Sequence, residues 1–266
     1  MSELRPTILK IGGSVITDKS GELAARTQDI ARLAEEIQNA NVRNLIIVHG
    51  GGSFGHPIAQ KYAINMGFKE ENQKVGFAET HHMMTVLNGL FMDALIWRGI
   101  PAVSVTPSSC IMTKKGRIQC FEKAPLTSML RMGFLPVMYG DAVLDTEMGF
   151  AILSGDQLIS YIAANFNAER IIIGVDVDGL YDADPKIEKN AKIFTHLTLN
   201  ELKKLQNKLG KSTSCDVTGG MFGKIVELIP AVEKEIPITI VNATKPNYVY
   251  KALKKEKVQG TLIEKE

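Results

Sequence analysis

The residues best suited to chemistry are lysines and histidines beside glycine turns that follow short apolar runs. Asn44 to Pro57 reads NLIIVHGGGSFGHP. Leu45 to Val48 has the β-branched character of a buried strand, and it stops at His49 followed by Gly50, Gly51 and Gly52. Glycines at such a break let bare backbone amides approach a bulky anion, and a helix beginning just beyond would aim its unpaired N–H groups at it. Thr7 to Leu9 is a second short strand; it ends in Lys10, with Gly12-Gly13-Ser14 almost directly after. An ammonium thus stands beside a second turn, within reach of phosphate oxygens. Asp216 to Lys224 (DVTGGMFGK) opens a helix with a glycine pair before it and a lysine in its first turn, which makes another anion site with its own cation.

Three glycine turns with Lys10, Lys19 and Lys224 suit an enzyme that brings two phosphorylated molecules together. Two unit charges ~4 Å apart repel by about 4 kcal/mol at an effective dielectric of ~20. A helix terminus offers only about 0.3–1 kcal/mol against that. The lysines must therefore neutralise the approach, and phosphoryl transfer itself asks chiefly for positioning and charge stabilisation.

Two literal motif matches fail on context. Gly50, Gly52 and Gly55 satisfy G-x-G-x-x-G, but a dinucleotide site also wants an acidic residue closing the next strand ~20 residues on. That distance lands in the polar run Lys69 to Lys74, with no strand before it. Gly210-Lys211-Ser212 imitates the end of a Walker A loop, but Leu205 stands where its first glycine belongs.

The remaining candidates depend on the elements around them. Asp156 stands at the start of a helix expected over 157–166, either as its N-cap or as a group that orients lysines. Arg170 to Val175 is an apolar strand ending in DVDGLYDADPK, a structured loop outside a strand end, where α/β proteins bind ligands. Its aspartates need Mg2+ or another cation between them and a polyphosphate; a ribose or base contact suits some of them. A long helix over 73–98 puts Phe77, Met84, Leu87, Phe91, Ala94 and Leu95 on one face, a core stripe that also suits the wall of an apolar pocket beside the glycine loop. His81-His82 lacks metal-ligand spacing and belongs at a partly exposed helix edge. His56 is a ligand-binding or a capped loop histidine, and His49 a buried structural one.

These sites hang on strands expected over 7–9, 45–48, 102–105, 135–138, 170–175, 238–241 and 260–263. Helices are expected over 29–39, 125–132, 198–209, from the 216–224 motif to about Glu235, and over 247–254. Residues 111–121 read as a small hairpin, Gly140-Asp141 as a turn, and 151–156 as a strand or loop entering a helix. The alternation predicts an α/β protein with a mostly parallel sheet covered on both faces. A length of 266 residues allows one large domain or two lobes, and a net charge of +2 from dispersed basic residues argues against nucleic acid as a partner. Cys110, Cys120 and Cys215, odd in number and without metal-ligand spacing, fit a reducing cytosol. Met1 to Pro6 is polar and no run reaches the ~18 apolar residues of a membrane span, so a soluble, cytoplasmic protein is expected.

KIGGS at Lys10, HGGG at His49, GD at Gly155-Asp156, DVDGLYDADP at Asp176 and TGGMFGK at Thr218, in that order, resemble the amino acid kinase family over essentially the whole chain. The resemblance implies a three-layer α/β/α sandwich on one continuous sheet, with an acceptor lobe over 1–169 and a nucleotide lobe over 170–266. It also implies ATP with Mg2+ bound mainly through phosphates, no protein metal site, and a homodimer. Within the family, GGGSFGHP together with ITDK ending in Lys19 is similar to the isopentenyl phosphate kinases, which phosphorylate isopentenyl monophosphate to the diphosphate in an alternative mevalonate route.

Carried over by position, Lys10, Lys19, His56, Asp156 and Lys224 become the catalytic set. His56 would bind the acceptor phosphate, Lys10 and Lys224 would stabilise the transferring and ATP phosphates, Lys19 would assist, and Asp156 would orient the lysines. Gly51, Gly55 and Gly155 would contact the acceptor. Its prenyl tail would lie in an oily slot formed by Phe77, Met84 and Ile152, with no charged residue suited to an amino acid's ammonium and carboxylate. Gly12, Gly13, Ser14, Gly52, Asp176, Gly179, Tyr181, Asp184, Lys186, Gly219 and Gly220 would join Lys10 and Lys224 around ATP. The rivals are kinases of fosfomycin, glutamate or a nucleoside monophosphate and, from another class, a dinucleotide oxidoreductase.

Overall fold

The computed structural model describes residues 4–18, 23–209 and 221–266, with the side chains of 207–209, 221, 222 and 224 outside that description. The first half alternates strand and helix. β1 (Thr7–Ile11), α1 (Gly13–Ile16) and α2 (Thr27–Ala40) lead to β2 (Leu45–His49), followed by α3 (Gly52–Lys61), the 26-residue α4 (Asn72–Trp97) and β3 (Ala102–Ser104). A one-turn α5 (Pro107–Cys110) precedes the hairpin β4 (Ile111–Lys114) and β5 (Arg117–Phe121), then α6 (Ala124–Met132) and β6 (Leu135–Tyr139). β7 (Asp141–Asp145) and β8 (Gly149–Leu153) form a second hairpin that feeds α7 (Gly155–Asn165). β9 (Arg170–Val175) is followed by the small pair β10 (Leu180–Tyr181) and β11 (Ile193–Phe194), β12 (His196–Thr198) and α8 (Leu199–Leu209). α9 (Met221–Val226), α10 (Ile229–Glu233), β13 (Ile238–Asn242), α11 (Tyr248–Lys254) and β14 (Gly260–Glu264) complete the order.

Eight strands join in the order β12-β14-β13-β9-β1-β2-β6-β3. The inner pairs are parallel, and only β13 with β14 runs antiparallel. Strands buried on both faces must be apolar on both, which is why TILKI, LIIVH and RIIIGV read as near-continuous runs. Their side chains alternate between two cores. Ile8, Ile46, Val48, Ile171 and Ile173 meet Leu130 of α6, Leu158 and Ile162 of α7, Leu202 of α8 and Val232 of α10. Leu9, Ile11, Ile47 and Ile172 meet Leu33 and Ile37 of α2, Leu87 and Phe91 of α4, and Val249 and Leu253 of α11. This is the expected three-layer α/β/α sandwich. A four-stranded sheet in the order β5-β4-β7-β8 accompanies the β2–β6 half. Among the described residues no helix is long and apolar enough to cross a membrane.

The chain order places the site. From β1 the chain passes to β2 and then to the edge strand β3, comes back to insert β6 between those two, and finally returns to lay β9 on the other side of β1. Loops at the carboxyl ends of β1, β2 and β9 therefore diverge around one crevice, the position where open α/β sheets take ligands.

Three expectations need correction. The helix expected to reach Glu235 is broken after Val226, because Pro230 near the start of α10 has no N–H with which to continue the preceding turn. Asp141 does not merely turn the chain; it begins β7, whose short DAVLD pattern, polar at both ends, hides its buried centre. The N-cap of α7 is Ser154, whose hydroxyl accepts from Gln157 N at 3.1 Å, so Asp156 is left for another task.

Candidate active site

Two glycine turns meet at the crevice, backbone against backbone. A Cβ on Gly13 would lie 2.2 Å from Gly52 N, and one on Gly52 would lie 1.9 Å from Thr17 Oγ1. Gly52 also has φ +50, a conformation that costs other residues strain. Thr17 stitches the turns together: its hydroxyl donates to Gly13 O at 2.8 Å and accepts from Ser53 N at 3.1 Å. Gly12 N donates to Gly174 O on β9 at 2.8 Å, which ties the first turn to the other flank.

Lys10, only 4% exposed, projects from β1 into this junction and needs a counter-charge to be buried there. Asp156, 8% exposed in the first turn of α7, supplies it, with Nζ to Oδ1 at 2.9 Å. A cavity of about 320 Å³ opens over the pair. Of the residues expected at the site, it brings together Lys10, Gly13, Gly51, Gly55, His56, Met84, Ile152, Gly155 and Asp156. His56 is exposed on α3 and lines the same cavity as the Lys10–Asp156 pair. Met84, Ile152, Leu153 and Ala59 give the walls an apolar part. Gly51 and Gly55, one helical turn apart, leave room for Met84: a Cβ on either would stand 2.8 or 2.9 Å from its sulfur.

Phe77 does not line the cavity. Its ring packs on Phe150 at 5.5 Å in a small cluster with Ile64 and Ala142, and that cluster reaches the wall through Ile152. Thr80, one turn before Met84 on α4, takes the place expected of Phe77. Lys19, Gly219 and Gly220 lie outside the described residues. Lys224 belongs to α9, whose Gly223 lines the cavity, but its side chain lies outside the description.

The nucleotide candidates on the loop after β9 form a separate group at the neighbouring strand mouth. Burial pushes the Asp176 carboxyl upward, but Lys186 and the Ser14 hydroxyl together hold it below the usual carboxylate range. Ser14 thus links the first glycine turn to this loop. Asp178 accepts from Asn242 Nδ2 at 2.8 Å and pairs with Lys245 at 2.7 Å. Asp184 accepts from Lys186 N at 2.9 Å, and Gly179 runs so close to Thr261 that a Cβ would stand 2.6 Å from its hydroxyl. Tyr181, on β10, is half-buried. Several of these residues hold the loop's own shape.

Sequence reasoning missed Asp141 and Glu227, both on the cavity wall. Asp141 puts a charged residue on that wall, where none suited to an amino acid's ammonium and carboxylate was expected. Its carboxylate is already engaged: His81 Nδ1 is 3.1 Å from both oxygens, and Ser108 N and Ala142 N donate at 3.3 and 2.9 Å. Burial raises its pKa, with His81 opposing. A carboxylate so occupied offers little to a substrate ammonium. His49 is fully buried and structural as expected, stacked on Tyr139 at 5.5 Å, with Nε2 3.2 Å from Asn88 Oδ1.

A crevice at the carboxyl ends of a doubly wound sheet, a buried lysine–aspartate pair over paired glycine turns and a half-apolar cavity beside them define a small-molecule phosphotransferase site. The sequence profile of the amino acid kinase family matches residues 5–242, and the chain belongs to that family. It is 43% identical over 264 residues to the isopentenyl phosphate kinase of Methanothermobacter thermautotrophicus, covering 96% of this chain and 98% of the relative. It is 37% identical to the isopentenyl phosphate kinase of Methanocaldococcus jannaschii, covering 97% and 98%. A solved isopentenyl phosphate kinase structure superposes with a TM-score of 0.86 at 39% identity, covering 97% of this chain and all of that one.

Proposed function

We propose that this protein is an ATP-dependent kinase that converts isopentenyl monophosphate to isopentenyl diphosphate. The observation that carries the reading is a single cavity lined both by Lys10, Asp156 and His56 and by Met84, Ile152 and Ala59. Such a lining suits an anionic head with a short hydrocarbon tail. The near-full-length likeness to isopentenyl phosphate kinases supports the same acceptor.

A phosphate monoester near neutral pH is already anionic and nucleophilic, so His56 serves as a hydrogen-bond donor to it rather than as a base. Lys10 stabilises the group in transfer, held in place by Asp156. Lys224 and Lys19 add charge at the nucleotide phosphates, with Gly12, Gly13, Ser14, Gly52, Gly219 and Gly220 giving backbone room. Asp176, Gly179, Tyr181, Asp184 and Lys186 form the nucleotide side of the crevice. Among the described residues no three His, Cys, Asp or Glu side chains are grouped to hold a metal. Mg2+ is assigned to the phosphates of ATP, as the family resemblance implies, where it neutralises charge.

Residues 1–169 form the acceptor lobe and 170–266 the nucleotide lobe, a division supported by β9 starting at Arg170 and pairing directly with β1. The family resemblance implies a homodimer, and the exposed Val86, Leu90 and Trp97 recur along one side of α4 as an apolar stripe for it.

The test is a panel of acceptors with ATP and Mg2+, followed by ADP release. Isopentenyl and dimethylallyl phosphates should turn over fast, and glutamate, acetylglutamate and UMP negligibly. Comparable turnover with an amino acid would overturn the assignment.

A further inference from the structure

Glu227 enters the cavity wall just beyond α9 with one carboxylate oxygen engaged and the other idle. Oε1 accepts from Arg117 Nη1 at 2.8 Å, whereas Oε2 is buried without a hydrogen-bond partner among the described residues. Arg117 comes from 110 residues earlier, at the start of β5. The hairpin there is held from two sides. Asp145 accepts from Thr113 Oγ1, Lys115 N and Gly116 N at 2.8, 3.1 and 2.7 Å. Gln157 donates to Gly116 O at 3.0 Å and accepts from Ile118 N at 2.9 Å, so it grips the backbone on both sides of Arg117. Gln157 directly follows Asp156, the partner of Lys10. An unbroken series of contacts therefore runs from Lys10 through Asp156, Gln157, the hairpin and Arg117 to Glu227, and so to the helix that carries Lys224 three residues earlier.

As a contribution to stability this pair is small, because Arg117 is largely exposed and such bridges are worth about 0–1 kcal/mol. Its geometry gives it a different task. Among the described residues Glu227 has no other hydrogen-bond partner to orient it, and without Arg117 its charge would stand uncompensated on the cavity wall where the ATP phosphates must meet the acceptor. We propose that Arg117 and Glu227 are a positioning pair that sets α9 against the catalytic cavity and screens the Glu227 charge from the incoming nucleotide. The inference rests on the kinase reading above.

The test compares the wild type, R117A, R117E and the charge swap R117E/E227R. It measures calorimetric affinity for a non-hydrolysable ATP analogue with Mg2+, the separate KM values for ATP and isopentenyl phosphate, and thermal melting. R117A should weaken the analogue by about three- to fivefold. The KM for isopentenyl phosphate should stay within about twofold and the melting temperature within ~2 °C, as expected of a largely exposed pair. The swap should bind better than R117E. Should R117A melt early, R117K supplies the comparison: affinity near wild type supports the pair, and a loss as large as that of R117A overturns it. Unchanged nucleotide affinity in R117A, an equal loss at the acceptor, or a swap no better than R117E would also overturn it. A wild type without ATP-dependent turnover of isopentenyl phosphate would instead sink the kinase reading itself.

Discussion

His56 and His49 lie seven residues apart at opposite extremes of burial, and that difference assigns their work. His56 is exposed on α3 and lines the cavity, so its side chain can change with little effect on the core. His56→Ala should lower kcat by about 100-fold or more, the scale of losing a donor to a developing charge, with the melting temperature nearly unchanged. His56→Gln, still a donor, should retain more activity than alanine; an alanine variant at full rate would refute the acceptor role. His49 behaves oppositely. Burial drives its imidazole down to about 4, against the raising effect of Gly50 O and Asn88. The unfolded imidazole takes up its proton near the ordinary 6.5, so between about 6.5 and 4 the unfolded state binds more protons. Stability should therefore fall as pH drops through that window, by up to about 3 kcal/mol from this residue. Urea unfolding at pH 7 and pH 4.5 checks it: the pH dependence should shrink in His49→Gln, and an identical slope in both proteins would contradict the assignment.

At the scale of elements, the fold uses buried carboxylates as fasteners. Glu36 on α2 is 4% exposed; it accepts from Arg32 Nη1 at 2.6 Å and from the backbone N–H groups of Asn247 and Tyr250 at 3.0 Å each. It thereby caps the start of α11 from a distant helix and draws the two together over one face of the sheet. Glu36→Gln removes one of the two carboxylates facing Arg32, which keeps Asp29 at 2.9 Å, and weakens the acceptor for two backbone N–H groups, so it should cost about 1.5–3 kcal/mol. Denaturant unfolding measures that loss, and kcat at low temperature should remain within about twofold because α2 and α11 do not line the cavity. A change below about 0.5 kcal/mol would show the contact to be no more than a surface pair. Nothing in the spacing of Glu36 and Asn247 announces this contact. The long helix α4 was legible from its apolar face, and the glycine turns from their position after apolar strands. What could not be read were pairings set by tertiary approach: Asp141 with His81, Glu227 with Arg117, and the displacement of Phe77 from the wall in favour of Thr80.

For the whole molecule, strand–helix alternation and doubly apolar strands sufficed to predict a parallel sheet covered on both faces. The second sheet was less legible. Its strands are short and lie partly exposed, so β7 carried too few apolar residues to stand out. The convergence of Lys10, His56 and Asp156 is a property of the winding order. Returning the chain to lay β9 beside β1 gathers loops from distant parts of the sequence at one crevice. An active site built this way is indicated in sequence only by what each loop holds, and its cavity becomes visible only once the sheet is assembled. The central claim is that this crevice passes a phosphoryl group from ATP to a small alkyl phosphate. Phosphorus NMR of the protein with ATP, Mg2+ and isopentenyl phosphate tests it directly. The account predicts that the monoester resonance gives way to the two coupled resonances of a diphosphate as ADP forms in equal amount. A persistent monoester resonance, with ADP released only alongside inorganic phosphate, would contradict it.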